Sequence, residues 1–251
     1  MKTIVVKIGG STLGEHDTTL EDIVALHKQG ICPVVVHGGG KKITEWLDKL
    51  GVATEFKEGL RVTDEQSLEV VVAVLCGIVN KELVSAINKL GGKAVGLSGF
   101  DGGMIEAEVT DEELGYVGDV KSVDAGPIKA VIDAGYIPVI APGGHDGKHM
   151  LNVNADSVAG EMAVALKADE MIFLTDVEGV RDKSGTMFST LHKEEVGSLL
   201  DMEVLSGGMI PKIYACLRSL LSVDAARIVD GRQPHALMEV VEGKSIGTVI
   251  R

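Results

Sequence analysis

Val34-Val35-Val36-His37-Gly38-Gly39-Gly40-Lys41-Lys42 is the stretch that most constrains this chain. Three β-branched residues in a row mark a buried strand. Three glycines follow at once. Ile43, Trp46, Leu47 and Leu50 then fall at helical spacing, and Gly51 ends the pattern. The glycines therefore sit where a strand hands over to a helix N-terminus. Backbone N–H groups point outward there, and the helix dipole favours negative charge. Without a Cβ, the backbone lets an anion come close. A glycine-rich turn with no ligand has the same local sequence, so recurrence has to separate the two readings.

The turn recurs. Strands expected at 3–8, 32–37, 94–97, 137–140 and 171–174 run into Gly9-Gly10, Gly38–Gly40, Gly99, Gly143-Gly144 and Gly179. In open parallel sheets, ligands bind beyond the carboxyl ends of the strands. Glycine at five such ends marks a binding edge rather than scattered turns. Between the strands lie helical patterns, the first at 19–29 and others at 127–134, 155–166, 193–200, 209–221 and 235–241. Strand, helix and strand within some thirty residues make a parallel, right-handed βαβ unit. The expected class is α/β.

Residues 55–63 are polar around a central glycine and predict a hairpin or lid. Residues 104–122 alternate with turn residues and predict further hairpins. Asp64 caps a long helix whose apolar residues, from Val70 to Ile87, cover more than one face. Burial on two sides, one of them a subunit contact, is the expectation. No linker or repeat divides the chain, so residues 1–251 are read as one domain with two lobes.

Five charged or polar positions stand out at or near the glycine edge. Lys7 lies inside an apolar strand, where a lysine is costly unless it faces an anion. Lys212 follows Gly207-Gly208 near a helix start. Asn152 and Asp156 flank a strand-to-helix turn, where Asp156 could be only a helix N-cap. Arg61 sits in the expected lid.

Other chemistries are poorly supported. There is no G-x-x-x-x-G-K-[ST] and no G-x-G-x-x-G. His145 and His149 are four apart, but Gly147 between them favours a surface turn over a metal site. No serine or cysteine lies in a nucleophile motif. A net charge of −13 argues against nucleic acid and anionic membranes as partners. Cys32, Cys76 and Cys216 are odd in number and set in apolar runs, as in a reducing compartment. No apolar run reaches the ~18 residues of a membrane span, and the first residues enter a strand rather than a signal peptide. A cytoplasmic location is expected.

Six pieces then appear in order: Lys7-Ile8-Gly9-Gly10, His37-Gly38-Gly39-Gly40, Gly59-Leu60-Arg61-Val62-Thr63, Asn152-Val153-Asn154-Ala155-Asp156, Thr175-Asp176-Val177-Glu178-Gly179 and Gly208-Met209-Ile210-Pro211-Lys212. Together they resemble the amino acid kinase family over nearly the whole chain, and within it the enzymes acting on N-acetyl-L-glutamate. The resemblance implies a three-layer αβα sandwich with an open, mostly parallel central sheet. It implies an N-terminal lobe that binds the amino acid and forms a homodimer, and a C-terminal lobe that binds ATP with Mg2+. The implied product is N-acetyl-L-glutamyl 5-phosphate, in arginine biosynthesis.

By motif, Gly39, Gly40, Arg61 and Asn152 would hold the substrate. Lys7 and Lys212 would stabilise the transferring phosphoryl group, and Asp156 would orient both. Gly9, Gly10, Asp176, Val177, Glu178, Gly179, Val180 and Arg181 would serve the nucleotide, with Val204, Leu205 and Ser206 nearby. Arg181 stands where some relatives carry an aliphatic residue. A carboxylate nucleophile is ionised at neutral pH, so the lack of an evident base agrees with an acyl-phosphate product. The alternatives are a kinase for carrier-linked aminoadipate and an inactive amino-acid-binding regulator. Family hexamers inhibited by L-arginine interlace through an extra N-terminal helix. Strand residues here begin by Thr3, so a dimer insensitive to arginine is expected.

Overall fold

In a computed structural model, residues 2–9, 18–202, 205 and 207–251 are described. Gly10, Val204 and Ser206 lie outside the described residues. The first half runs β1 (Thr3–Ile8), α1 (Thr19–Lys28), β2 (Cys32–His37) and α2 (Gly40–Leu50). A short hairpin follows, β3 (Phe56–Lys57) and β4 (Leu60–Arg61). Next come α3 (Glu65–Val72), a π-helical stretch Ala73–Val79, and α4 (Asn80–Lys89), which form one continuous 25-residue helix. β5 (Ala94–Ser98), β6 (Ile105–Glu108), β7 (Val117–Val123), α5 (Gly126–Asp133), β8 (Ile137–Ala141), β9 (Gly143–His145) and β10 (Met150–Val153) lead to the second half. That half holds α6 (Ala155–Leu166), β11 (Glu170–Thr175), β12 (Thr190–Leu191), α7 (Lys193–Asp201), α8 (Met209–Ser219), β13 (Ala226–Asp230), α9 (Ala236–Val241) and β14 (Thr248–Ile250).

Eight strands form one sheet in the order β12-β14-β13-β11-β1-β2-β8-β5. The pairs from β13 through to β5 are all parallel, and β13–β14 is the antiparallel exception. The αβα sandwich with a mostly parallel sheet is thus the observed fold. The five glycine-terminated strands are the adjacent run β11-β1-β2-β8-β5, so their carboxyl ends share one edge.

Strand alternation splits the core in two. Val5, Val34, Val36 and Phe173 face α6 and α8. Ile4, Val6, Ile8 and Val35 face α1, α2 and the long helix. Burial of these branched side chains, each contributing roughly 1.5–3 kcal/mol, dominates the stability. Lys7 belongs to the first face and shares its row with Val36 and Phe173.

One feature departs from the sequence reading. Residues 104–153 do contain a hairpin, β6–β7, but β9 and β10 join it in a small closed four-stranded barrel. The long helix is apolar and long enough to cross a membrane by length and composition. Here its Val71, Val74, Leu75, Leu83 and Ile87 are packed into the core, and Leu68 is buried. Its outer face, with Val72, Ala73, Cys76 and Gly77, stays half-buried or exposed.

α6 and α8 meet backbone to backbone at Gly160, where an added Cβ would stand 2.7 Å from the Ala215 carbonyl oxygen. On an exposed helix, glycine to alanine gains about 1 kcal/mol. Overpacking against a neighbouring backbone costs ~1–3 kcal/mol, so contact should win over propensity. Gly160→Ala is expected to lower the melting temperature by several degrees. A rise on thermal unfolding would show that the two helices can separate without cost.

Candidate functional site

Lys7, Asp156 and Lys212 come together from three elements. Lys7 Nζ stands 2.7 Å from Asp156 Oδ1, and Lys212 Nζ stands 3.1 Å from Oδ2. Lys7 and Asp156 are only 7% and 5% exposed. Burial acts to raise the Asp156 pKa, but the charges of Lys7 and then Lys212 overrule it and hold the carboxylate below its ordinary range. Lys212 Nζ also donates to the Gly208 carbonyl at 3.2 Å. The same carboxylate, after burial itself, helps push the Cys216 thiol pKa up. Asp156 is not the helix cap. Asn154 is, its Oδ1 accepting from the amides of Asp156 at 2.8 Å and Ser157 at 3.3 Å. The carboxylate is thereby free to hold lysines.

A cavity of ≈ 190 Å³ opens beside this centre. Gly38–Gly40, Ile43, Phe56, Arg61, Asn152 and Ala155 are among its lining residues, and Ala155 precedes Asp156 in the chain. The N-termini of α2 and α6 both border it, so two helix dipoles present their positive ends. Its described lining contains no carboxylate and no histidine. Arg61 and Asn152, separated by 91 positions in the numbering, are linked through Thr63. The Asn152 amide donates to Thr63 Oγ1 at 3.1 Å, and that hydroxyl donates to the Arg61 carbonyl at 2.8 Å. Sequence reasoning missed Thr63 as a link, although it lies within the quoted Gly-Leu-Arg-Val-Thr piece.

The glycines divide in role. A Cβ at Gly39 would lie 2.5 Å from Leu75 Cδ2, whereas one at Gly40 would meet nothing within 4 Å. Gly39 thus makes room for the long helix, and Gly40 leaves the cavity open. His37 braces this turn from below. Its Nδ1 lies 2.9 Å from the Gly38 carbonyl and its Nε2 3.2 Å from the Asn80 amide nitrogen. Burial drives its pKa down to about 4, so at neutral pH Nδ1–H donates and Nε2 accepts.

A second cavity, ≈ 400 Å³, is lined by Val177, Glu178, Gly179, Val180, Arg181, Leu205 and Met209. Met209 stands one turn before Lys212 on α8. Asp176, exposed at the end of β11, leads into this loop, and the Gly9 amide donates to the Leu174 carbonyl at 3.1 Å. Arg181 is engaged within its own loop, with the Glu178 carboxylate and the Gly185 carbonyl.

These features define an α/β protein that gathers positive charge at the carboxyl edge of its sheet, between two cavities. The chain matches the model of the amino acid kinase family over residues 2–230 and belongs to that family. It is similar to the acetylglutamate kinase of Thermosynechococcus vestitus, at 48% identity over 99% of this chain and 88% of that one. The acetylglutamate kinase of Heliobacterium modesticaldum is 45% identical over 99% and 92%. Among solved structures, smu.665 from Streptococcus mutans superposes with a TM-score of 0.85 at 30% identity, covering 99% of this chain and 98% of that one.

The buried His37 generates a pH dependence. Its folded pKa lies below its unfolded value, so its contribution is present above pH ~6.5 and is lost as pH falls through about 4. By pH 5 the loss should reach about 2 kcal/mol. Urea unfolding at pH 7 and pH 5 measures it, and His37→Asn should flatten the difference. An equal acid loss in that variant would remove His37 as the cause.

Proposed function

We propose that this chain is an acetylglutamate kinase, transferring the γ-phosphoryl group of ATP to the γ-carboxylate of N-acetyl-L-glutamate in arginine biosynthesis. The observation that carries the reading is the pairing of a base-free, cationic cavity with the buried Lys7–Asp156–Lys212 centre. A γ-carboxylate has a pKa near ~4.3 and attacks as the anion, so it requires no base. His37 could not act as one, since both of its ring nitrogens are engaged.

In the first cavity, Arg61 offers a guanidinium to a substrate carboxylate, and Asn152 and the Gly40 backbone complete the seat. The carboxylate oxygen forms a bond to Pγ while the bond from Pγ to the bridging oxygen breaks and ADP departs. Lys7 and Lys212 neutralise charge on the transferring group, and Asp156 fixes the position of both. The second cavity, with the loop from Asp176 to Arg181, is the place for the nucleotide. Mg2+ would supply further neutralisation of the phosphates. Among the described residues no three metal-ligating side chains gather, and both Asp156 oxygens face lysines. The ion would therefore enter on the phosphates, as MgATP.

We further read the chain as a cytoplasmic homodimer. Its cysteines are unpaired, two of them buried, as suits a reducing compartment. The apolar outer face of the long helix suits a two-fold contact.

A coupled assay of ADP release tests the reading. N-acetylglutamate should be turned over, and glutamate and an aminoadipate derivative poorly. Lys212→Ala should lower kcat by ~10²–10³-fold with substrate affinity retained, as when a transition-state donor is lost. Asp156→Asn should be similarly crippled. A fully active Asn variant would rule out a role for the carboxylate charge between the lysines.

A further inference from the structure

We infer that Thr44 and Phe56 are positioning residues that hold the Arg61 guanidinium in a charge-neutral cage, so that its charge is kept for the substrate's carboxylate. The inference rests on the functional reading above. Arg61 is 7% exposed, which normally demands a paired carboxylate. Among the described residues no acidic group forms an ion pair with it, and the Asp48 carboxylate acts on it only from a distance, as a weaker influence than burial. Its partners are neutral. Nη2 donates to Thr44 Oγ1 at 2.8 Å and to the Gly40 carbonyl at 3.1 Å, and Nη1 lies 3.4 Å from Thr54 Oγ1.

Thr44 is the pivot of this cage. Its single hydroxyl proton goes to the Gly40 carbonyl at 3.1 Å, which leaves a lone pair turned to Arg61. The first turn of α2 and the hairpin strand β4 are tied together through that oxygen and the Gly40 carbonyl. Phe56 forms the opposite wall. It is directly across the β3–β4 pair from Arg61, and the guanidinium carbon lies 4.7 Å from the ring centroid. Phe56 itself is 56% exposed, and the contact with Arg61 covers part of its ring face. A π face attracts the cation without cancelling its charge, as a carboxylate would. Hydroxyl, carbonyl and ring together fix the plane of the fork and leave its remaining donors for the cavity.

Steady-state kinetics on the intact enzyme test this. Thr44→Val keeps the shape and removes the oxygen. It should raise the KM for N-acetylglutamate about tenfold, while kcat and the KM for ATP stay within about twofold. Thr44→Ser should restore it. Phe56→Leu should raise the same KM by about two- to fivefold. On an Arg61→Ala background, whose own KM should be raised further, neither change should add anything. If wild-type enzyme fails to phosphorylate N-acetylglutamate, the functional reading falls and this inference with it. If wild type is active and Thr44→Val leaves that KM unchanged, or shifts both KM values alike, the cage alone is overturned. Additive effects on the Arg61→Ala background would overturn it too.

Discussion

One carboxylate shared by two lysines is the constraint on which the rest of the molecule depends. Lys7 and Lys212 would repel each other in a nearly dry site, and neither has an apolar reason to be there. Asp156 between them, at 2.7 and 3.1 Å, cancels one of the two charges. The centre is left one positive charge in excess, which suits a group that arrives negative. Removing one member of a buried ionic set typically costs more than the set itself contributes, because the remainder stays uncompensated. The three residues come from β1, α6 and α8, so the same contacts fix a strand and two helices relative to one another. The close approach at Gly160 and Ala215 brings α6 and α8 near enough for this to happen.

The helix cap next to the centre shows how function and local structure are separated. An aspartate in the first turn of a helix ordinarily satisfies backbone amides. Asn154 performs that task here, two positions earlier, and accepts the Asp156 amide itself. Asp156 retains the favourable dipole of the helix N-terminus without being spent on capping. A similar division holds at the strand β2 turn, where Gly39 yields space to Leu75 and Gly40 yields it to the cavity.

What was legible in the sequence had a periodic or energetic signature. The run of glycine-terminated strands marks the parallel sheet and the edge where the glycines gather, because β-branched runs and helical spacing are local. Lys7 stood out because a lysine amid Ile and Val needs a reason. Arg61 lies in the segment expected to be a polar lid, yet it is buried. Its burial depends on Thr44 and Gly40, which are 17 and 21 residues away and carry no motif of their own. The closed barrel was missed because its strands, from three to seven residues long, pair partly with distant neighbours. β12 has two residues and leaves no periodic trace at all. The glycines were rightly located, yet their reason differed. At Gly99 an added Cβ would meet the Gly143 carbonyl oxygen at 1.7 Å, so that pair serves the approach of two chain segments.

Net charge and local field point in opposite directions here, and the distinction matters for how an anion is received. The chain carries a formal charge of −13, which at a distance disfavours any anionic ligand. That field is screened beyond about 8 Å at physiological salt. Around the first cavity the described walls bear no carboxylate, two helix N-termini border it, and the one charged side chain among them is Arg61. Within such a low-dielectric space a fixed positive charge is worth several times its value in water. An anion there is therefore governed by the few groups that line the cavity and not by the acidic exterior. The exterior acts only on the approach, and at physiological ionic strength weakly. Acidic composition is thus compatible with an acidic substrate, provided the carboxylates are kept on the outside, as they are around this cavity.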